Sequence, residues 1–276
     1  MATIQSLLDS ATLPDSPTAR LDAELLLAAA LGKPRSYLRT WPEREPGAEQ
    51  QATFVAMLER RRAGEPVAYI LGRQGFWSLD LEVAAHTLIP RPDTELLVET
   101  ALQLAPATPQ RVLDLGAGSG AIALALASER GGWRVVGVDR IAEAVALAER
   151  NRQRLQLVNA EFRQSHWFDA LAGERFGLIV SNPPYIAADD HHLAEGDVRF
   201  EPASALVAGA DGLDDIRKII ARAPQHLEGG GWLLLEHGYD QAEAVRGLLA
   251  AAGFDAVASR RDLGGHERIS LGQWTA

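Results

Sequence analysis

The sequence contains no cysteine. That excludes a disulfide framework, a thiolate nucleophile and a cysteine zinc site. Lysine stands only at 33 and 218, so the 27 basic residues are almost all arginine. With the many alanines, this reads as genome composition rather than function. Long apolar runs are missing too. Leu21–Leu31 and Ala117–Ala127 fall well short of the ~20 residues that span a bilayer. Met1 to Leu13 has no basic stretch and carries Asp9, so it is not read as a secretory signal, and a cytoplasmic location is expected. Nor is there an excess of positive charge. The 27 basic against 37 acidic residues give −10, which argues against binding to bare nucleic acid. The acidic balance suits either solubility or a basic partner.

What is present is an ordinary globular composition, 47% apolar and 23% charged over 276 residues. That length is enough for one or two domains with a sizeable core. Two halves read differently. Residues 1–72 look helical: Leu7, Leu8, then Leu21, Leu25, Leu26 and Ala29 recur at helical spacing, with Ser16-Pro17 as a start and Gly32 and Pro34 as a stop. A second helix is expected over Ala48–Arg62, with Phe54, Val55 and Leu58 inward and Arg60-Arg61-Arg62 as a solvated last turn. Residues 73–90, with Phe76, Leu79, Leu81 and Val83 loosely alternating, predict a hairpin linker. From 91 to 276 strands alternate with helices. Strands are expected at 111–115, 134–139, 161–163, 178–181 and 232–236, with helices at 121–128, 142–154, 214–227 and 241–252. Two closing strands, 254–259 and 268–271, are joined at Gly264-Gly265. The pattern implies an α/β fold with a parallel sheet covered on both faces and an antiparallel addition at its end.

Two turns carry the chemistry. Val112-Leu-Asp-Leu-Gly116-Ala117-Gly118-Ser119-Gly120 follows a strand and opens a helix. Glycines there let a ligand approach the backbone, and the helix N-terminus offers free N–H groups to an anion. Asp139 ends the next strand, where it can accept hydrogen bonds from ribose hydroxyls. This points to an adenosine-type ligand. Taken with Ala121 the loop also fits a relaxed dinucleotide pattern. Ser181-Asn182-Pro183-Pro184-Tyr185 ends a later strand, so both turns should open on one crevice. The prolines stiffen the turn. The Asn182 oxygen and a backbone carbonyl near Pro183 offer two acceptors for a planar NH2 group, and Tyr185 offers a face to pack on it.

The spelling Asp114-x-Gly116-x-Gly118-x-Gly120 resembles motif I of S-adenosylmethionine-dependent methyltransferases. Asn-Pro-Pro-Tyr after it is similar to enzymes that methylate planar amides and exocyclic amines. Further stretches narrow the likeness: Ile89-Pro-Arg-Pro-Asp-Thr-Glu95, Glu65-Pro-Val-Ala-Tyr-Ile-Leu-Gly72, Asp197–Leu206 and Glu236-His-Gly238. Together with the helical N-terminal part they resemble the bacterial N5-glutamine methyltransferases of peptide chain release factors, the PrmC or HemK family. The resemblance spans essentially the whole chain. It implies a seven-stranded Rossmann-like class I S-adenosylmethionine methyltransferase sheet behind a small helical substrate-docking domain. The implied substrate is the glutamine of the Gly-Gly-Gln loop in class-1 release factors, with S-adenosyl-L-methionine as cofactor and S-adenosyl-L-homocysteine as product.

Carried over residue by residue, Gly116, Ala117, Gly118, Ser119, Gly120 and Asp139 match cofactor positions. Trp167 matches a position beside the adenosine, and Asn182 matches both a cofactor and a substrate contact. Asn182, Pro183, Pro184 and Tyr185 match the glutamine-holding loop, with Asn182, Pro183 and Tyr185 as its catalytic members. Where the family often has Ser-Asp-Trp, this chain has Ser165-His166-Trp167.

Alignment by the loop, with no dedicated base, is the expected mechanism. Asp93 and Glu95 are expected to cap a helix over 96–104, with Thr94 as an alternative cap, and residues 186–212 to cover the cleft. His191-His192 beside Asp189-Asp190 is read as a polar loop, and no metal is expected. The expected protein is a monomer with no direct nucleic-acid or membrane partner. Rival readings are a glutamine methyltransferase acting on a ribosomal protein and, further off, a DNA or RNA amino-methyltransferase. A nicotinamide dehydrogenase would leave Asn-Pro-Pro-Tyr without a role.

Overall fold

The computed structural model describes residues 2–276. The chain forms two compact units, Met1–Arg73 with Ala194–Phe200, and Gln74–Leu193 with Glu201–Ala276.

The first unit is helical: α1 (Ile4–Ser10), α2 (Ala19–Leu31), α3 (Arg35–Thr40), α4 (Ala48–Arg62) and α5 (Val67–Leu71). The spaced leucines do what their period implies. Leu7, Leu8, Leu26, Leu27, Phe54 and Leu58 share one buried core. Gly32 ends α2 in the left-handed conformation, its N–H returning to the carbonyls of Ala28 and Ala29.

Two expectations about α4 are corrected. Val55 faces outward, 49% exposed, because the buried stripe runs through 54 and 58, four residues apart on one face. Arg61 is not solvated. Its side chain is 10% exposed and bonds Asp22 at 2.8 Å and Asp197 at 2.8 Å.

The second unit holds a two-stranded ribbon, β1 (Arg73–Phe76) and β2 (Leu79–Glu82), then α6 (Glu95–Leu104), β3 (Arg111–Leu115), α7 (Ala121–Glu129), β4 (Arg134–Asp139), α8 (Ala142–Arg154), β5 (Ala160–Gln164), β6 (Phe176–Ser181), α9 (Asp214–Arg222), β7 (Leu227–Glu236), α10 (Ala242–Ala251), β8 (Asp255–Arg261) and β9 (Glu267–Trp274). The hairpin belongs to this unit rather than standing between two, because Phe76 and Leu81 are buried in its core with Leu97, Val98 and Leu124. The helix expected over 214–227 stops at Arg222. Pro224 sits in a short 3-10 turn, Ala223–Gln225, and β7 begins at Leu227 instead of Trp232.

The main sheet has seven strands in the order β5-β4-β3-β6-β7-β9-β8. The first five run parallel, and β9 and β8 complete the edge antiparallel. One face packs Leu97, Val112, Leu124 and Trp133. The other packs Leu113, Ile216, Ile219, Val245 and Leu249. The chain moves outward from β3 through β4 to β5 and then restarts on the other side of β3 with β6. That reversal is the place where open α/β sheets bind ligands. Among the described residues no helix is long and apolar enough to cross a membrane.

Candidate active site

The two turns singled out in the sequence leave the sheet side by side. Leu115 on β3 pairs with Ser181 on β6, so Gly116 and Asn182 are the next residues on neighbouring strands. The buried Ser181 hydroxyl fastens the junction by donating to the Leu115 carbonyl at 2.7 Å. A cleft opens here, lined by Gly116, Ala117, Gly118, Ser119, Asp139, Trp167, Asn182 and Pro184. His86, Arg91, Thr94, His166 and Ser204 also line it. All of these belong to the second unit. Gly120, Pro183 and Tyr185 stand behind this lining rather than in it.

The glycine turn needs glycine. Gly116, Gly118 and Gly120 have φ of 73°, 55° and 85°, in the left-handed region that other residues enter at a cost. Gly120 has a second constraint. A Cβ there would lie 2.8 Å from the Phe162 ring, so its role is close helix–strand packing. Asp139 holds the turn: its Oδ2 accepts from the Gly118 N–H and its Oδ1 from the Ile141 N–H, both at 2.9 Å. Each carboxylate oxygen keeps a further lone pair for a hydroxyl donor.

Trp167 has φ 50°, an uncommon conformation for a bulky residue. Ser165 imposes it by donating to the Trp167 carbonyl at 2.9 Å while accepting from the Ala170 N–H at 3.0 Å. The indole packs over Gly116, and a Cβ on that glycine would meet it at 3.4 Å. His166 is half exposed and stands 3.6 Å from Asp169.

On the other side, Asn182 Nδ2 donates to Thr94 Oγ1 at 3.1 Å. Its Oδ1 is buried with no partner. Trp167 Nε1 and His86 Nε2 are likewise buried and unpartnered. Three orphaned polar atoms around one cleft are a strong indication of a polar ligand, since such groups are normally satisfied. Tyr185 lies on the core side, its hydroxyl 3.4 Å from Glu236 Oε1. Burial and the nearby Glu236 carboxylate raise its pKa further above its already high value.

Sequence reasoning gave four residues no role in the site. Asp114 is fully buried. Its Oδ2 accepts from the Ala123 N–H at 3.0 Å, and its Oδ1 has no partner. Burial pushes its carboxyl up to about 7, and the Asp139 charge adds to the rise. Glu236, 3% exposed, is also pushed by burial to about 7, against the pull of the Thr94 and Tyr185 hydroxyls and Arg268. Thr94 makes no side-chain cap to α6, because its hydroxyl is engaged by Asn182. Glu95 instead accepts from the Trp77 N–H at 2.7 Å. His86 is the fourth. The signal for Glu236 was legible, because an acid closing a buried strand obeys the rule that singled out Asp139. The neighbouring His237 is a satisfied core residue, 2.8 Å from both Ser270 Oγ and the Gly238 carbonyl.

Asp190, His191 and His192 place their ligand-type atoms within 4.8 Å of one another. His192 Nδ1 and its N–H are both occupied by Asp190.

Comparison with solved structures finds the same architecture in a methyltransferase from Pyrococcus furiosus, 17% identical, with a TM-score of 0.56 over 80% of this chain and 98% of that one. The Methyltransferase small domain model matches residues 91–209. Fold and site therefore define a methyltransferase with the class I S-adenosylmethionine-type fold. The PrmC N-terminal domain model matches residues 6–72. The release factor glutamine methyltransferase of Pseudomonas aeruginosa is 71% identical over 99% of both chains, and that of Vibrio cholerae is 55% identical over 94% of this chain and 91% of its own. The chain belongs to the release factor glutamine methyltransferase family.

Proposed function

We propose that this enzyme transfers a methyl group from S-adenosylmethionine to N5 of the glutamine in the Gly-Gly-Gln loop of class-1 release factors. It would act as a cytoplasmic monomer. The observation that carries the reading is the buried, unpartnered Asn182 Oδ1 on the cleft wall beside the glycine turn. A fixed acceptor there suits a donor, and a primary amide presents two N–H donors.

The residues fit the cofactor. Gly116–Gly120 would admit it against the backbone, Asp139 would take its ribose, and Trp167 would flank its adenosine. The orphaned indole N–H offers a further polar contact. S-adenosylmethionine supplies an electrophilic methyl group on a positively charged sulfur. The chain supplies alignment. Asn182 Oδ1 and a carbonyl near Pro183 hold the two amide hydrogens and stabilise positive charge growing on nitrogen. Tyr185 backs the loop, and the proton leaves to water. Among the described residues none of the first unit lines this cleft, and its proposed role is docking of the release factor.

Incubation with a release factor and S-adenosylmethionine, followed by mass spectrometry of the tryptic peptides, tests the proposal. One methyl group on the Gly-Gly-Gln glutamine is expected. Methylation of ribosomal protein or nucleic acid with the release factor untouched would overturn it.

A further inference from the structure

Of residues 186–212, expected to cover the cleft, Ser204 and Ala205 line it. Both belong to a short, stiff stretch. Pro202 precedes a 3-10 turn, Ala203–Ala205. The turn is closed by the Ala205 N–H on the Pro202 carbonyl at 2.8 Å and the Val207 N–H on the Ala203 carbonyl at 2.9 Å. Its far end is rooted by backbone pairing. Ile186 and Val207 form a parallel bridge. The Ile186 N–H donates to the Leu206 carbonyl at 2.8 Å, and the Ala208 N–H to the Ile186 carbonyl at 3.0 Å.

The near end is held by charge. The seven residues before it, Ala194–Phe200, group with the first unit, so the chain rejoins the second unit at Glu201. The Glu201 side chain is 0% exposed, and its carboxylate pairs with Arg91. A carboxylate buried so completely is costly unless it is paired, so breaking such a pair carries a large penalty. Arg91 is itself part of the cleft lining. Between the two ends Arg140 Nη2 donates to the Ser204 carbonyl at 3.0 Å. Arg140 also lines the cleft and follows Asp139 in the chain. Two arginines of the cleft wall thus reach out to the same five residues, 201–205.

We propose that Glu201 is a positioning residue that, by pairing with Arg91, fastens residues 201–205 against the cleft and so retains the cofactor there. The inference rests on the proposed S-adenosylmethionine site and not on the identity of the substrate. Alignment of the substrate is assigned to Asn182, which Thr94 engages. Loosening residues 201–205 should therefore free the cofactor faster and leave the transfer step largely intact.

Glu201→Gln keeps the side-chain volume and removes the charge. In the ligand-free protein, hydrogen exchange read by mass spectrometry should speed up at least ~10-fold in peptides covering 203–207, while peptides of β3 and β6 keep their wild-type rates. S-adenosylhomocysteine should dissociate at least ~10-fold faster in a stopped-flow displacement. With release factor as substrate, KM for S-adenosylmethionine should rise at least ~10-fold while kcat stays within ~3-fold. Arg91→Ala should do the same, and adding Glu201→Gln to it should cost nothing more.

Unchanged exchange over 203–207 in Glu201→Gln would overturn the proposal. So would a loss of cofactor affinity in Arg91→Ala that Glu201→Gln does not share, because Arg91 would then hold the cofactor by itself. If Glu201→Gln fails to fold, Arg91→Gln, at a partly exposed position, decides the matter on the same two readouts. A wild-type protein that binds neither S-adenosylmethionine nor S-adenosylhomocysteine would overturn the retention. Cofactor binding with release factor left unmethylated would defeat only the proposed substrate, and exchange and dissociation would still decide this inference.

Discussion

Asn182 and Asp139 both line one cleft but have different tasks, and their substitutions should separate. Asn182→Ala removes the acceptor aimed at the reacting group. It is expected to lower methyl transfer by ~10²-fold or more while cofactor affinity moves only a few-fold. Asp139→Ala removes the anchor of the glycine turn and is expected to weaken cofactor binding at least ~10-fold. Calorimetry with S-adenosylmethionine, beside a labelled-methyl assay, reads both.

Asp114 makes a pH prediction. Its carboxyl titrates at about 7 in the fold against 3.8 ordinarily. Between those values the folded state holds a proton that the unfolded chain has lost, so stability falls as pH rises. Asp114→Asn should therefore gain steadily on the wild type as pH rises from about 4 to 7 and level off above. Urea denaturation at a series of pH values measures this, and a gap independent of pH would refute the assignment. The sequence showed Asp139, Asn182 and Trp167 because each belongs to a spelled turn. It did not show Thr94 or His86, whose importance depends on which orphaned atom or engaged side chain the folded chain sets on the cleft wall.

At the scale of elements, β4 and β5 are brought together by an absence. Gly137 pairs with Phe162 across the two strands, and a Cβ at 137 would stand 2.4 Å from that ring. The ring also fills the space left by Gly120, so one phenylalanine explains two glycines. Gly137→Ala is expected to destabilise the protein by about 1–3 kcal/mol. Phe162→Ala should make the second substitution much cheaper, because the clash would be gone. A double-mutant cycle in urea checks the coupling, and full additivity would sink it.

The helix and strand periods of the second unit were legible because apolar runs and turn residues coincide, as at Arg134–Asp139. Register was not legible, since Gly137 against Phe162 is a long-range pairing that local pattern cannot specify. Similarly, three consecutive arginines at the end of α4 looked solvated. The contacts of Asp22 and Asp197 with Arg61 showed that one of them is a buried tie.

For the whole molecule, the net charge of −10 sets an expectation about association. A release-factor loop that works against ribosomal RNA should be basic, and an acidic enzyme would attract it. Raising the salt from about 0.05 to 0.5 M should slow association markedly, by stopped-flow or surface-based kinetics, with a smaller effect on dissociation. A rate indifferent to salt returns the charge to a role in solubility.

Composition set an expectation against nucleic acid as a partner. The division of the chain is another matter, because no pattern in residues 186–212 marks Ala194–Phe200 as belonging with the N-terminal helices. That division has a consequence for biosynthesis. The first 73 residues leave the ribosome as a unit still missing a piece, and Arg61 lacks its second carboxylate, Asp197, until more than a hundred further residues have been translated. The N-terminal helices are thus made first and finished late. The first unit cannot close until that later segment has been made.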